Sequence, residues 1–375
     1  MTTTETDSRR LRLGTRGSRL ALTQSGQVAE ALIASGGGGA AAAAGKASEG
    51  SGGLSIDLVT VRTDGDGDRT PLRQLGGVGV FAARLRHALL DGEVDLVVHS
   101  FKDLPTQPVE GLEVICVPPR EDPRDALCAR DGLTLAALPE GARVGTGSPR
   151  RAAQLLATRP DLEVVDLRGN VPTRLARVRG LETVGVGTDE PVAPSRADAA
   201  GDLDAVVLAL SGLRRLGLEH CASEVLDLET MLPAPAQGAL AVEARAGEDC
   251  AELARAAAVL DDEPTRLAVT AERSLMARLG AGCAAPVGAW AHLSGGEQEQ
   301  RVLALRAVVT SLDGGQEVGC ELSTELPEAS GGPGAPGDTA AVRAAEALGV
   351  RAAEVLLDDG ADQIVDLHAN KPRRD

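Results

Sequence analysis

Aromatic side chains are almost missing from this chain, which has two Phe, one Trp and no Tyr. Phe81, Phe101 and Trp290 cannot furnish base-stacking platforms, which excludes recognition of single-stranded nucleic acid by stacking. The core must be built from Leu, Val and Ala instead. Histidine is scarce, and the six cysteines (Cys116, Cys128, Cys221, Cys250, Cys283 and Cys320) nowhere form a Cys-x-x-Cys pair. Such spacing offers no metal-ligand cluster, and in a reducing compartment six free thiols are expected. No apolar run approaches the roughly 18 residues of a membrane-spanning helix. The start, MTTTETDSRRLRL, lacks an apolar stretch after its basic pair, so no secretory signal and a cytoplasmic location are expected. Positive charge is in deficit, with 38 basic against 55 acidic residues and a net charge of −17. A surface of that sign repels phosphate backbones, so no nucleic-acid partner is expected, although a local basic pocket is compatible with it.

What is present suffices for more than one domain: 375 residues, 43% of them hydrophobic, can bury two or three separate cores. Three segments read as exposed, flexible insertions: 36–53, inside SGGGGAAAAAGKASEGSGG; 181–201, rich in Gly, Pro, Asp and Ala; and 327–338, PEASGGPGAPGD. Between them short apolar runs alternate with helical patterns. Strands are expected over 11–13, 56–61, 96–99, 114–117, 143–145, 164–167 and 205–210. Helices are expected over 20–33, 80–90, 150–157 and 173–179. This alternation predicts an α/β fold with mostly parallel sheets. After Asp261 the pattern changes to a helix over 264–279, strands over 287–292, 302–311 and 317–322, and a last helix over 339–357, which predicts a smaller α+β domain.

An internal echo joins the two halves. Gly14-Thr15-Arg16-Gly17-Ser18-Arg19 resembles Gly145-Thr146-Gly147-Ser148-Pro149-Arg150, and each follows a strand and opens a helix. The echo suggests two similar α/β domains facing each other across a cleft.

Three strand-to-helix turns combine small residues with arginine: GTRGSR with Arg16 and Ser18, GTGSPRR with Thr146, Ser148, Arg150 and Arg151, and LRGNVPTR with Arg168, Gly169, Asn170 and Arg174. Helix N-termini attract anions, and arginine forks grip carboxylate or phosphate in a bidentate way. Singly, each turn reads equally well as a capped helix start with solvated arginines. Three together in so acidic a protein imply a small, multiply anionic ligand. His99-Ser100-Phe101-Lys102-Asp103-Leu104-Pro105 closes a strand, where ligands of open α/β sheets bind. Asp103 there could move protons or steady a developing cation. A surface ion pair between Lys102 and Asp103 is the alternative. In Gly280-Ala281-Gly282-Cys283-Ala284-Ala285-Pro286 the cysteine is flanked by small residues that leave its sulfur reachable, though a packed, inert thiol fits the same spacing. Cys116 and Cys128 sit in apolar runs and read as core. LGGVGVF, with Gly76, Gly77 and Gly79, is neither a Walker loop nor a dinucleotide fingerprint and reads as a hinge or lid. LPAPAQGA, from Leu232 to Ala239, reads as a rigid crossing between domains.

VHSFKDLPT, REDPRDAL, GTGSPRR, LRGNVPTR, LPAPAQGALAVE and AERSLMARLGAGCAAPVG, in this order, closely resemble the hydroxymethylbilane synthase family, also called porphobilinogen deaminases. The match runs from about Leu11 to the C-terminal helix. The resemblance implies two α/β domains like type 2 periplasmic binding proteins with a cleft between them, and a smaller C-terminal α+β domain. The implied limits are 10–118 with 239–258, then 122–233, then 262–370. It implies a dipyrromethane cofactor in thioether linkage to Cys283. It also implies a transferase that joins four porphobilinogen molecules head to tail, loses ammonia at each step and releases linear hydroxymethylbilane for porphyrin, haem and other tetrapyrrole biosynthesis. By the same match Asp103 is catalytic. Arg16, Ser18, Ser100, Lys102, Thr146, Ser148, Arg150, Arg151, Arg168, Arg174 and Arg215 bind carboxylates of cofactor and substrate, and Gly169, Asn170 and Gln237 shape the cleft. No metal is implied, and the enzyme would act as a monomer. The Thr-x-Gly-Asp element of the family is present as Thr63-Asp64-Gly65-Asp66. Gln74 and Val78 stand where many relatives carry lysines, so the resemblance does not extend to carboxylate binding by the glycine loop.

Two other readings compete. A non-catalytic anion- or solute-binding protein with a two-domain cleft would need neither Asp103 nor Cys283 and would usually carry an export signal. A cysteine-nucleophile transferase would want a histidine base near Cys283, and along the chain the nearest is His292, with no third group evident.

Overall fold

The computed structural model describes residues 10–36, 54–61, 80–181, 201–247, 250–282, 284–295, 299–327 and 339–367. Cys283, the glycine loop, the 63–66 element and nearly all of the three inserted segments lie outside these residues.

In chain order the first segment forms β1 (Arg10–Thr15), α1 (Arg19–Ser35), β2 (Ser55–Thr60), α2 (Val80–Leu90), β3 (Leu96–Ser100) and β4 (Leu112–Cys116). The second forms β5 (Asp125–Ala129), β6 (Arg143–Gly145), α3 (Pro149–Thr158), β7 (Glu163–Val165), α4 (Val171–Leu175), β8 (Ala205–Ala209), α5 (Leu210–Arg215) and β9 (Glu224–Val225). The chain then makes β10 (Leu240–Arg245), α6 (Ala251–Leu260), α7 (Glu263–Leu279), β11 (Val287–Ser294), β12 (Val302–Thr310), β13 (Glu317–Glu325), α8 (Ala340–Asp358) and α9 (Ala361–Ile364).

Two five-stranded sheets share one plan, β2-β1-β3-β10-β4 and β7-β6-β8-β5-β9, and β11-β12-β13 form an antiparallel third. The sequence echo therefore has a structural basis. Gly14, one residue before the end of its strand, lies between β2 and β3 as Gly145, the last of its own, lies between β7 and β8. A Cβ on Gly145 would lie 2.6 Å from Leu203, which explains the bare backbone there. The expected α/β class is observed, and the two five-stranded sheets are mostly parallel, with four of the five strands in each running one way. In each, the fourth strand runs antiparallel to both neighbours, β10 in the first and β5 in the second.

Alternate residues of β3 enter separate cores, as a strand covered on both faces requires. Leu96 and Val98 pack with Leu13 and Leu32, whereas Val97 packs with Leu85 and Leu89. The second sheet is likewise sandwiched, between Leu167, Leu175 and Leu213 on one side and Leu127, Leu155 and Val207 on the other. Each fully buried leucine contributes about 2 kcal/mol of hydrophobic stabilisation. In the third unit α7 and α8 pack so closely that a Cβ on Gly349 would sit 2.1 Å from the Ala271 carbonyl oxygen. Cys116 and Cys128 are buried as expected, and so are Cys221 and Cys250.

The helices begin where their caps dictate. Ser18, Ser148, Asn170, Asp262 and Thr339 each accept a backbone N–H of the first turn, and Pro occupies the first turn of α3, α4 and α7. The helix expected over 173–179 is shorter, because bonds from Arg177 N to the Arg174 carbonyl and from Val178 N to the Leu175 carbonyl tighten the chain after Leu175. β5, β10 and α6 have no counterpart in the sequence reading. β10 is interrupted by a charged residue, Glu243, and α6 is alanine-rich, with only a thin stripe of larger apolar side chains.

The chain crosses between the first two sheets twice, after β4 and before β10, and the crossings touch. Gly238 holds φ at 90°, and a Cβ there would lie 2.3 Å from the Glu121 carbonyl oxygen, so only glycine fits the contact.

Candidate active site

Both arginine-bearing turns after β1 and β6 leave the carboxyl ends of parallel strands, the edge at which open sheets bind ligands. In the second, Thr146 Oγ1 accepts the Ser148 N–H at 3.2 Å and Ser148 Oγ accepts the Arg151 N–H at 3.5 Å. Those bonds aim Arg150 and Arg151 inward from the first turn of α3. Both are buried, and both end on Asp125, which is fully buried at the start of β5. Arg150 Nη2 donates to Asp125 Oδ2 at 2.8 Å, and Arg151 Nη2 donates to Oδ1 at 2.7 Å. Burial alone would raise the Asp125 carboxyl, but the two guanidiniums outweigh it and hold the group far below the usual carboxylate range.

Gln237, also fully buried, links this centre to the first sheet. Its Nε2 donates to Asp125 Oδ1 at 2.8 Å and to the Pro123 carbonyl at 2.7 Å, and its Oε1 accepts Lys102 Nζ at 3.1 Å. Lys102 is pushed down to about 8, first by burial and then by Arg151 and Arg150, against the pull of Asp103 and Asp125.

Arg168 and Arg174 complete the cationic side. Gly169, at φ 114°, turns its carbonyl to accept Arg174 Nε at 2.8 Å, and Asn170 caps α4 through Thr173 N at 2.9 Å. Arg174 is lowered to about 10, by burial and then by Arg151 and Arg168. Asp103 and Asp166 oppose that shift, so a carboxylate of the first unit acts electrostatically on an arginine of the second. Asp103 itself ends the 3₁₀ turn Phe101–Asp103 at the close of β3 and is exposed.

The remaining predicted residues are more scattered. Ser18 caps α1, and Arg16 precedes it at the end of β1, next to β3 in the sheet. Ser100 donates to Gln24 Oε1 at 3.1 Å, which ties the end of β3 to α1. Arg215 donates to the Gly238 carbonyl at 2.6 Å and so lies at the crossings. Cys283 lies outside the described residues; before it, Gly280 closes α7 in a left-handed conformation at φ 64°.

Among the described residues the cations of this arrangement, Lys102, Arg150, Arg151, Arg168 and Arg174, outnumber the acids Asp103, Asp125 and Asp166. Arg150 Nε and Arg168 Nη2 are buried with no hydrogen-bond partner among the described residues. Orphaned guanidinium N–H groups beside a lysine and an arginine of depressed pKa fit a ligand bearing several carboxylates, such as a dipyrromethane with its acetate and propionate arms. Among the described residues no group of His, Cys, Asp and Glu is placed to hold a metal ion.

Sequence reasoning did not single out Asp125, although it lies inside the quoted REDPRDAL stretch. An acid directly before an apolar run, here Asp125 before Ala-Leu-Cys-Ala, was the available signal. It also passed over three other ionic anchors. Glu243 binds Arg86 and His99, and Glu272 binds Arg120. Arg273 caps the Asp103 turn, donating to the Leu104 carbonyl at 2.7 Å.

Comparison with known proteins adds an independent finding. Residues 11–252 match the family model described as porphobilinogen deaminase, dipyromethane cofactor binding domain, and residues 266–358 match porphobilinogen deaminase, C-terminal domain. A Cutibacterium acnes protein named porphobilinogen deaminase is 51% identical over 367 residues, covering 97% of this chain and 99% of its own. Proteins of the same name from Micrococcus luteus and Thermobifida fusca are 50% and 47% identical, each over 94% of this chain and 93% and 95% of their own. Among solved structures, a YaeC-family lipoprotein of Enterococcus faecalis overlaps 68% of this chain and 92% of its own at 15% identity and a TM-score of 0.34, too loose a likeness to carry weight.

Proposed function

The chain belongs to the porphobilinogen deaminase family, and on that premise we propose that the cleft facing Asp103 is where its hydroxymethylbilane synthase reaction takes place. The enzyme is a transferase of tetrapyrrole biosynthesis with a dipyrromethane cofactor. The non-catalytic solute-binding reading is not favoured, because relatives matched along nearly their whole length carry the enzyme's name.

What the dipyrromethane supplies when bound is a fixed pyrrole end from which a chain can be extended. Each porphobilinogen brings an acetate and a propionate. Arg168, Arg174 and Lys102 grip carboxylates, Arg150 offers its orphaned Nε, and Arg151 sets the local field. Arg16, Ser18, Ser100, Thr146, Ser148 and Arg215 extend the grip along the walls, and Gly169, Asn170 and Gln237 hold its shape. Asp125 stays ionised and fixes the two α3 guanidiniums, so no reorganisation is needed when an anion arrives. Loss of ammonia breaks the aminomethyl C–N bond of porphobilinogen and leaves a cation delocalised over the pyrrole. Asp103 places negative charge beside that cation and accepts a proton during the coupling. The observation that carries this reading is the buried cluster in which Asp125 holds Arg150 and Arg151 and Gln237 joins it to Lys102 beside Asp103, with Arg150 Nε and Arg168 Nη2 buried and without a hydrogen-bond partner among the described residues.

The division of the chain into 10–118 with 239–258, 122–233 and 262–370 is supported by the three sheets, each with its own core. No helix among the described residues is long and apolar enough to cross a membrane. The proposed enzyme acts as a cytoplasmic monomer without nucleic acid, which its net charge of −17 favours. The test is intact mass combined with an aldehyde reagent that colours pyrroles. The purified protein should exceed its sequence mass by two linked pyrrole units and give the dipyrromethane colour, and Cys283→Ser should lose both. An active protein at its bare sequence mass would refute the thioether assignment.

A further inference from the structure

The turn that carries Asp103 is not held by its own domain alone. Arg273, on α7 of the C-terminal unit, reaches it with both arms of its guanidinium. Nη1 donates to the Phe101 carbonyl at 3.3 Å and to the Leu104 carbonyl at 2.7 Å, and Nη2 donates to the Pro105 carbonyl at 2.9 Å. The same guanidinium lies over the Phe101 ring, 4.4 Å from its centroid. One cation therefore gathers carbonyls from both sides of Asp103 and seals the ring that anchors the turn. Val269, one helical turn earlier on the same face of α7, packs with Phe101 and Leu104. The turn's other ties include Phe101 N to the Ala239 carbonyl at 3.0 Å and Lys102 Nζ to Gln237 Oε1 at 3.1 Å. The turn is three residues of 3₁₀ helix closed by one bond, Leu104 N to the Phe101 carbonyl at 3.2 Å, with no side-chain cap. A short 3₁₀ segment with a single closing bond is pliable, so the contacts made to it from outside bear on where its exposed carboxylate stands.

We propose that Arg273 is a positioning residue: it fixes the Asp103 turn against α7, the helix that immediately precedes the cofactor cysteine in the chain, and so sets where the carboxylate stands in the cleft. The inference rests on the catalytic reading of Asp103 given above. It assigns Arg273 no contact with substrate, and its effect passes through Asp103 alone. Arginine is required because its planar fork meets several carbonyls while stacking on a ring, which an ammonium cannot do.

Arg273→Gln tests this in a cycle with Asp103→Glu, which keeps a carboxylate one methylene further out. Alone, Arg273→Gln should lower kcat by about 10- to 100-fold, the cost of moving a reacting group by about 1 Å, and leave KM within about twofold. In the Asp103→Glu background, where the carboxylate is already displaced, it should change kcat by less than about twofold. Amide hydrogen exchange supplies a readout independent of turnover. Asp103 and Leu104 should exchange faster in Arg273→Gln, while 149–158 keeps its protection. Arg273→Lys, which retains a cation over Phe101, should recover part of kcat, and it carries the same cycle if Arg273→Gln does not fold. A wild-type kcat in Arg273→Gln, or an equal fold-loss in both backgrounds, overturns the proposal while leaving Asp103 catalytic. A wild-type rate in Asp103→Glu would instead remove the catalytic reading of Asp103 and this inference with it.

Discussion

In the first sheet the antiparallel strand β10 carries a buried acid, Glu243, and in the second the equivalent strand β5 carries Asp125. Each is answered by arginine, Glu243 by Arg86 and Asp125 by Arg150 and Arg151. Their heights differ. Glu243 stands opposite Val97, near the start of β3, whereas Asp125 stands opposite Ala209, the last residue of β8. Open sheets bind ligands at the carboxyl ends of their parallel strands, so the first ion pair lies inside the fold and the second lies at the edge of the proposed cleft. His99 completes the first at 3.1 Å from Glu243 Oε2, and Gln237 and Lys102 complete the second.

That contrast breaks most sharply on the acids themselves. Asp125→Asn and Glu243→Gln each leave buried guanidinium charge uncompensated, and each should cost about 3–5 kcal/mol in denaturant unfolding. Only Asp125→Asn should also depress turnover per folded molecule, because only it releases the arginines of the cleft. If the surviving folded fraction of Asp125→Asn turned over normally, the two acids would be equivalent and the comparison would fail. The sign of the pH dependence follows from the lowered Asp125 carboxyl. Its stabilisation is complete above the unfolded value of about 4 and is lost as pH falls below that toward the folded value.

A smaller effect sharpens the same contrast. Lys102, lowered to about 8, is charged below that pH and neutral above it. As pH rises through about 8, a carboxylate ligand loses one charge-assisted bond, so KM for porphobilinogen should climb by about tenfold. Lys102→Arg should stay flat over the same range, because guanidinium does not titrate there. A KM for the unaltered enzyme that is constant through that range would place Lys102 outside the carboxylate grip.

Much of the fold was legible because it is written in local signals. Ser148-Pro149 and Asn170-Val171-Pro172 start helices at the positions where their caps bond, and the Gly14/Gly145 echo corresponds to one strand position in two sheets. What escaped depends on contacts far apart in sequence. β5 and β10 run antiparallel because the chain crosses between sheets and returns from the other side, which no local period encodes. The candidate residues were found by charge and turn chemistry, so Arg150, Arg168 and Arg174 stood out. Asp125 and Arg273 did not, because their partners lie 25 and 26 residues away in one case and 168 to 172 in the other.

Among the arginines of the proposed cleft, Arg168 has a buried Nη2 without a hydrogen-bond partner among the described residues and so offers the most direct test of carboxylate binding. Intact-mass spectrometry of Arg168→Leu after brief exposure to porphobilinogen reads this directly. The unaltered enzyme should show a ladder of masses separated by one deaminated substrate unit, and the variant should stop at the bare protein, the primer or its first extension. A complete ladder in Arg168→Leu, formed at the unaltered rate, would contradict the account.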